Sequence, residues 1–323
     1  MATERLKLLA RGVWGARRFL LRRLLTSLLS VVGATLLVFL LLHLIPGDPV
    51  DNLLGEDARP ADKAELRRCM DLDQPLPVQL GRFLRSIGDG TLGVSCPDRK
   101  TTVAGRIAAV LPYTVTLAVV SMSLALLLAL PLGIAAALRP RTMLDATATG
   151  VALLGISMPA MWLGPLLLMT FFTGLEWLPG PGEEIDSPRG LILPAVVLST
   201  HLMAMLARMT RSSLLETLNE DYVRTAYAKG LSPTRVVLKH ALRNALLPVI
   251  TVAGMQFGSL LAGAVVTEKI FARPGLGTLL LEGIMQRDYR IVQGCTLVVA
   301  VLYVGVNLLV DLLYAATDPR IRL

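Results

Sequence analysis

Between Arg224 and Ile250 the chain reads RTAYAKGLSPTRVVLKHALRNALLPVI, with five cations and no anion. Cations at that density pair with acidic groups, either lipid head groups or the carboxylates of a protein. Local signals shape the stretch. Asp221 can cap a helix from Tyr222 to Lys229. Gly230 can end it in the left-handed conformation that glycine tolerates. Ser232 then caps a second helix whose first residue is Pro233, and that helix carries Arg235, Lys239 and Arg243. Ala226, Ala228 and Gly230 are small, so another body can lie close against them. A helix lying on a membrane surface has no use for the glycine break. A protein partner accounts for both the charge and the break.

No residue set in the chain promises catalysis. There is no Gly-x4-Gly-Lys-Ser/Thr loop for a nucleotide, no HExxH pair and no GxSxG elbow. His43, His201 and His240 are too far apart to promise a metal site. Catalytic, cofactor and metal residues are therefore all expected to be none. A carrier driven by protons or sodium keeps ionisable groups near the membrane midplane. Here Asp311 sits near one end of an apolar run, where backbone or Asn307 is its expected partner. His201 either lines a path or is a satisfied core histidine.

The elements that must position these residues are long and apolar. The chain has 323 residues, 54% of them hydrophobic, and a mean hydropathy of +0.61. Apolar residues come in six charge-free blocks: Leu24–Ile45, Ile107–Leu138, Ala146–Leu175, Leu191–Ala207, Asn244–Thr267 and Ile291–Val310. A membrane-crossing helix needs ~20 such residues. Backbone in lipid must pair internally, so the blocks are read as helices and the chain as an all-α polytopic membrane protein. The first block exceeds a signal-peptide core and no small-x-small cleavage site follows it, so it is read as a retained span. Gly254 and Gly258 form a small-xxx-small face for close helix approach. Pro131, Pro159 and Pro194 interrupt spans two to four.

The net charge of +8 has a distribution that speaks for topology and against nucleic acid. Arg5, Lys7, Arg11, Arg17, Arg18, Arg22 and Arg23, then Arg139 and Arg141, then Arg208 to Arg243, then Arg320 and Arg322 all fall on one side of alternating spans. Glu176, Glu183, Glu184 and Asp186 fall on the other. The positive side is the cytoplasmic one, so both termini are expected inside. The division is residues 1–23 inside, 24–45 first span, 46–106 outside, 107–316 a five-helix core with the cytoplasmic loop 208–243, and 317–323 a cytoplasmic tail. Within 46–106, Ala61–Asp71 and Leu80–Ile87 can form short helices, and Gly88, Gly90 and Gly93 mark a loop. Cys69 and Cys96 share this outer region, where two thiols either form a disulfide or never meet. Cys295 lies in the last span and reads as a packing residue.

The stretch Asp221-Tyr222-Val223-Arg224-Thr225-Ala226-Tyr227-Ala228-Lys229-Gly230-Leu231 resembles the cytoplasmic coupling loop of ABC-importer permeases of the oligopeptide/dipeptide type. Other stretches agree: His240 to Pro248, Pro274-Gly275-Leu276-Gly277, Arg287-Asp288-Tyr289, Gln293-Gly294 and the ending Asp318-Pro319-Arg320-Ile321-Arg322. Upstream, His43 to Pro49 and Gly90-Thr91-Leu92-Gly93-Val94-Ser95 are similar to the family's first span and outer loop. The general loop pattern begins with glutamate where Arg224 stands, and its Leu-Pro pair falls on Leu242-Arg243, departures that peptide-type members share. The resemblance implies a six-helix type I ABC-importer permease fold in a bacterial or archaeal inner membrane. It implies a second, homologous permease subunit, two cytoplasmic ATPases that hold ATP and magnesium, and an extracytoplasmic solute-binding protein. Tyr222, Arg224, Ala226, Lys229, Gly230 and Leu231 are then the expected ATPase contacts. The implied cargo is peptide; similar permeases carry nickel chelates, glutathione, heme or short saccharides. A self-powered secondary carrier and a membrane enzyme are the competing classes.

Overall fold

The computed structural model describes residues 22–40, 49–55, 57–96 and 101–317. The cations before Arg22, the turn from His43 to Asp48 and the ending from Asp318 lie outside the described residues. Among the described residues fourteen helices follow in order. α1 is Arg22–Leu40. α2 (Pro49–Leu54), α3 (Pro60–Cys69) and α4 (Leu76–Gly88) are short. α5 (Val103–Leu138), α6 (Met143–Ser157), α7 (Ala160–Leu167, continued by a π-helical turn to Gly174) and α8 (Pro188–Leu218) come next. α9 (Asp221–Ala228) and α10 (Pro233–Arg235, then π-helical Val236–Ala241) lead into α11 (Leu242–Gly263). α12 (Val265–Ile270), α13 (Leu276–Met285) and α14 (Tyr289–Thr317) are the last of the described elements.

Among the described residues five stretches are long and apolar enough to cross a membrane: α1, α5, α8, the run from Pro233 to Leu261, and the part of α14 from Tyr289 to Leu312. The third charge-free block is different. α6 and α7 meet at 99° across Met158 and Pro159 and make a sixth span only when taken together. Proline pushes the residue before it out of the helical region, and Met158 sits at φ −85°, ψ 111°. Pro131 and Pro194, by contrast, lie inside the continuous helices α5 and α8. α8 also runs unbroken to Leu218, so residues 208–218 of the expected loop are helix. At ~1.5 Å per residue its 31 residues span about 46 Å, longer than a hydrocarbon layer of ~30 Å.

The described residues fall into two compact units. The larger comprises residues 115–273 and the end of α14 from Val306. Within it α8 packs on α6 and on α11, and α7 packs on α8 and α12. A Cβ at Gly254 of α11 would overlap Val310 of α14, so only glycine allows that approach. A partly buried ion pair joins α8 to α6: Arg211 holds Asp145 through two bonds of 2.6 and 2.8 Å. The Arg141 backbone N–H donates to the same carboxylate at 2.9 Å. Asp145 lies just outside the charge-free block that was read as beginning at Ala146.

The smaller unit comprises residues up to Thr114 and 274–305. Its core is Val103, Ile107, Leu276, Leu279, Ile291 and Cys295. α3 and α4 fall close to the two expected outer helices. Here the sequence stretches Gly90–Ser95 and Arg287–Tyr289 come together. The Ser95 hydroxyl donates to Asp288 at 2.6 Å, and Asp288 accepts the N–H groups of Arg290 and Ile291 at the start of α14. Arg290 donates to the carbonyls of Val94 and Cys69 and to the Asp71 carboxylate. Asp71 also pairs with Arg82. Cys69 and Cys96 are joined as a disulfide with their Cα atoms 5.8 Å apart. The bond closes a loop with 27 residues of separation, worth about 3 kcal/mol of restricted unfolded chain.

Two of the three carbonyl and carboxylate partners of Arg290 lie within two residues of Cys69, so breaking the disulfide is expected to loosen this unit first. The Cys69→Ser/Cys96→Ser variant is expected to be cut by protease between residues 57 and 96 much faster than the unreduced parent. Alkylation of the denatured, unreduced parent is expected to modify Cys295 alone. Three alkylated thiols there, or equal cleavage of parent and variant, would overturn this.

Candidate functional site

α9 is eight residues long, too short to hold itself in water. It persists because one side is buried. Val223 and Ala226, three residues apart and so on one face, are 0% and 6% exposed. They enter a cluster with Leu214 of α8, Ala137 of α5, Val236 and Ala241 of the π-helical stretch, and Ala245 of α11. Leu215, Leu218 and Leu231 pack around the edge of this cluster. The helical hairpin is thus seated on the ends of three long helices. Two polar contacts add to the seat. The Asn244 amide donates to the Tyr222 hydroxyl at 2.8 Å, and the Ser213 hydroxyl donates to the Ala245 carbonyl at 2.8 Å.

The turn after α9 is a complete glycine-terminated helix end. The Gly230 N–H reaches the Tyr227 carbonyl at 2.9 Å, and the Leu231 N–H reaches the Ala226 carbonyl at 3.4 Å. Gly230 has φ +76°. The apolar contact that accompanies this motif is present too, since Leu231 and Ala226 share the cluster. Ser232 precedes Pro233, the first residue of α10. The N-terminal end differs from expectation. Glu220, not Asp221, is the capping residue, and its side chain makes no capping bond. Asp221 lies in the first turn, where a negative charge suits the helix dipole, and faces Arg224 at 3.8 Å.

The six residues expected to contact an ATPase divide in two. Tyr222, Arg224, Lys229 and Gly230 are exposed. Ala226 is buried, and Leu231 half-buried, against the chain's own helices. The small size of Ala226 serves this internal packing, so it is a seat for α9 and not an outward surface. Tyr227, which size-based reading passed over, is 42% exposed and stands on the outer face with Arg224. Val223 was missed as well. Its three-residue spacing from Ala226, followed by Leu231, was the available signal for an inward stripe.

The outer face therefore carries two aromatic rings and two cations on one short, seated helix and its turn. It can dock in a groove with acidic walls. It holds no nucleophile and base in contact, and among the described residues no group of His, Cys, Asp and Glu is placed to hold a metal ion.

The model of the binding-protein-dependent transport system inner membrane component family matches residues 129–323, and its N-terminal companion matches residues 16–118. The di/tripeptide transport system permease protein DppB of Pseudomonas aeruginosa is 43% identical, over 94% of this chain and 98% of its own. The glutathione transport system permease protein GsiC of Salmonella paratyphi A is 43% identical, with the same coverage of each. A chain of the methionine ABC transporter MetNI, solved in an inward-facing conformation, superposes with a TM-score of 0.55 at 19% identity, over 66% of this chain and 96% of that one.

Proposed function

Because the chain belongs to the binding-protein-dependent transport system inner membrane component family, as a multi-pass permease subunit and not an enzyme, we propose that it forms half of a path for di- or oligopeptides. The other half is a second, homologous permease. Peptide arrives on an extracytoplasmic binding protein. Two cytoplasmic ATPases supply the energy, and ATP and magnesium stay with them. The observation that carries this reading is the seated hairpin. Arg224, Tyr227 and Lys229 point outward, while Val223 and Ala226 lock α9 to α5, α8 and α11. A force on the outer face is transmitted to three long helices at once. ATP-driven movement of a partner then biases the bundle between two states through differential contact.

Peptide as cargo is supported by the relatives' names, and glutathione, itself a small peptide, is favoured to the same degree by the 43% identity with GsiC. The positive-inside distribution supports both termini and α9 facing the cytoplasm.

Purification is expected to bring down two ATPases and a second permease. In vesicles with the binding protein, ATP drives uptake of labelled dipeptide, and an ionophore leaves it unchanged. A thiol label at Lys229→Cys reacts only from the face supplied with ATP, and one at Ile185→Cys only from the other. Uptake that an ionophore collapses, or a reversed labelling pattern, would sink the reading.

A further inference from the structure

α6, α7, α8 and α11 expose two different kinds of surface. On α6 and α7 the large exposed side chains are apolar: Leu153 at 50%, Leu154 at 65%, Met161 at 71% and Met169 at 72%. Such a surface suits lipid tails. On α8 and α11 the exposed stripe is mixed. His201 and Met205, four residues apart, share one face of α8, and Met255 and Ser259 share one face of α11. The two faces adjoin, because the Gln256 amide of α11 donates to the Met205 sulfur of α8 at 3.1 Å.

A cavity of about 540 Å³ opens on this face. Its wall includes His201, Gln256 and Ser259, and its rim is the 99° bend at Met158 and Pro159. That volume falls in the range of small-ligand pockets, ~300–1,000 Å³. Its depth is set by flanking cations. His201 is seven residues from Arg208, about 10 Å along the helix, and Gln256 is thirteen residues from Arg243, about 20 Å. Both therefore lie within the apolar part of their spans. An imidazole and an amide facing lipid at that depth would be costly, and polar side chains in spans face a water-filled or protein-lined interior.

We propose that the α8 and α11 face bearing His201, Met205, Met255, Gln256 and Ser259, with the bend at Pro159, is the peptide-contacting wall of this subunit's path. The proposal rests on the transport reading above and adds the residues that touch cargo. His201, Gln256 and Ser259 offer donors and acceptors that match the amide and carbonyl groups every peptide carries. Met205 and Met255 are unbranched, pliable and polarisable, so they repack around side chains of differing shape. The wall thus recognises the peptide backbone and tolerates the sequence. The bend at Pro159 ends α6 and starts α7 in a new direction, which keeps the mouth of the cavity open.

The test uses thiol accessibility in the assembled complex in vesicles. This chain's own background is quiet, because Cys69 and Cys96 are bonded and Cys295 is buried, and labelling is read on this subunit alone after separation from its partners. His201→Cys and Ser259→Cys are expected to react with a charged, membrane-impermeant methanethiosulfonate reagent. Leu154→Cys and Met169→Cys are expected to stay inert. During ATP turnover with binding protein, saturating alanyl-alanine is expected to slow the reaction at 201 and 259 several-fold. If 201 and 259 are as inert as 154 and 169 while the unsubstituted complex still shows ATP-driven uptake, a second subunit or lipid covers this face. The inference then falls and the transport reading stands. If both positions react but dipeptide gives no protection in a complex that transports it, the face is wet without touching cargo, and the inference falls as well. Loss of ATP-driven uptake by the unsubstituted complex would instead strike the transport reading itself.

Discussion

Gly230→Val is expected to leave the permease inserted in the membrane and to abolish ATP-driven uptake. The position has φ +76°, and a Cβ built there meets nothing within 4 Å. The harm therefore comes from the backbone and not from a clash with neighbours. A left-handed conformation costs an ordinary L-residue ~1–2 kcal/mol, and a β-branched residue is a true outlier there. The turn has little in reserve against that cost. Of its two closing bonds, the one from Leu231 to Ala226 is already long at 3.4 Å. Relief comes by opening the turn. That withdraws Leu231 from the cluster and re-aims α10 relative to α9. Gly230→Asn separates this account from a general sensitivity of the loop, because asparagine visits the left-handed region far more readily. The Asn variant is expected to keep most uptake and the Val variant almost none, with equal amounts of both in the membrane. Full transport by the Val variant would remove the turn from the mechanism.

This hairpin is largely legible in the sequence, since glycine at a helix end and proline at a helix start act through their own φ preferences. The spans were legible for a similar reason. Lipid imposes apolar runs, and the cations that bound them mark where the membrane stops. What escaped was set by packing. Pro131, Pro159 and Pro194 read alike in sequence, yet only at Pro159 does the chain break, because only there does the preceding residue leave the helical region. Asp145 and Arg211 are 66 residues apart, and no local pattern joins them. Ala226 was misread for an instructive reason. Smallness says that something lies close, but not whether that is a partner or the chain's own α8. His201 had two open readings, path-lining or core, and its exposure on α8 excludes the core one; the half-buried Gln256 beside it was hidden, since helix rotation follows from neighbours and not from composition. The two rings at Tyr222 and Tyr227 compound the difficulty, because these bulky residues of α9 face out while the smaller Val223 and Ala226 face in.

The seat of α9 and its proposed grip on an ATPase are expected to be separable by substitution, with the seat the more sensitive. Val223→Asp is expected to release α9 from the long helices and to uncouple the transporter. Val223 is 0% exposed among Leu214, Val236, Ala241 and Ala245, none of which can bond a carboxylate through its side chain. An unpaired charge in such surroundings costs several kcal/mol, more than a short helix gains from the rest of its buried face. The hairpin then detaches while α5, α8 and α11 remain packed. The yield of ATPase co-purified with the permease falls at least tenfold, and amide exchange across residues 221–231 rises to that of open chain. Val223→Ala removes only two methyl groups and leaves a small cavity, a loss of about 1–3 kcal/mol that weakens the seat without releasing it. Arg224→Glu acts on the grip. Arg224 is exposed, so the hairpin stays seated and exchange is unchanged, but an attraction to acidic walls becomes a repulsion that added salt screens. Salt is therefore expected to restore part of ATPase binding to Arg224→Glu and none to Val223→Asp. An Asp variant that keeps its ATPases and its coupled uptake would show that α9 is held by something other than this cluster, and the lever would have to be sought elsewhere in the chain.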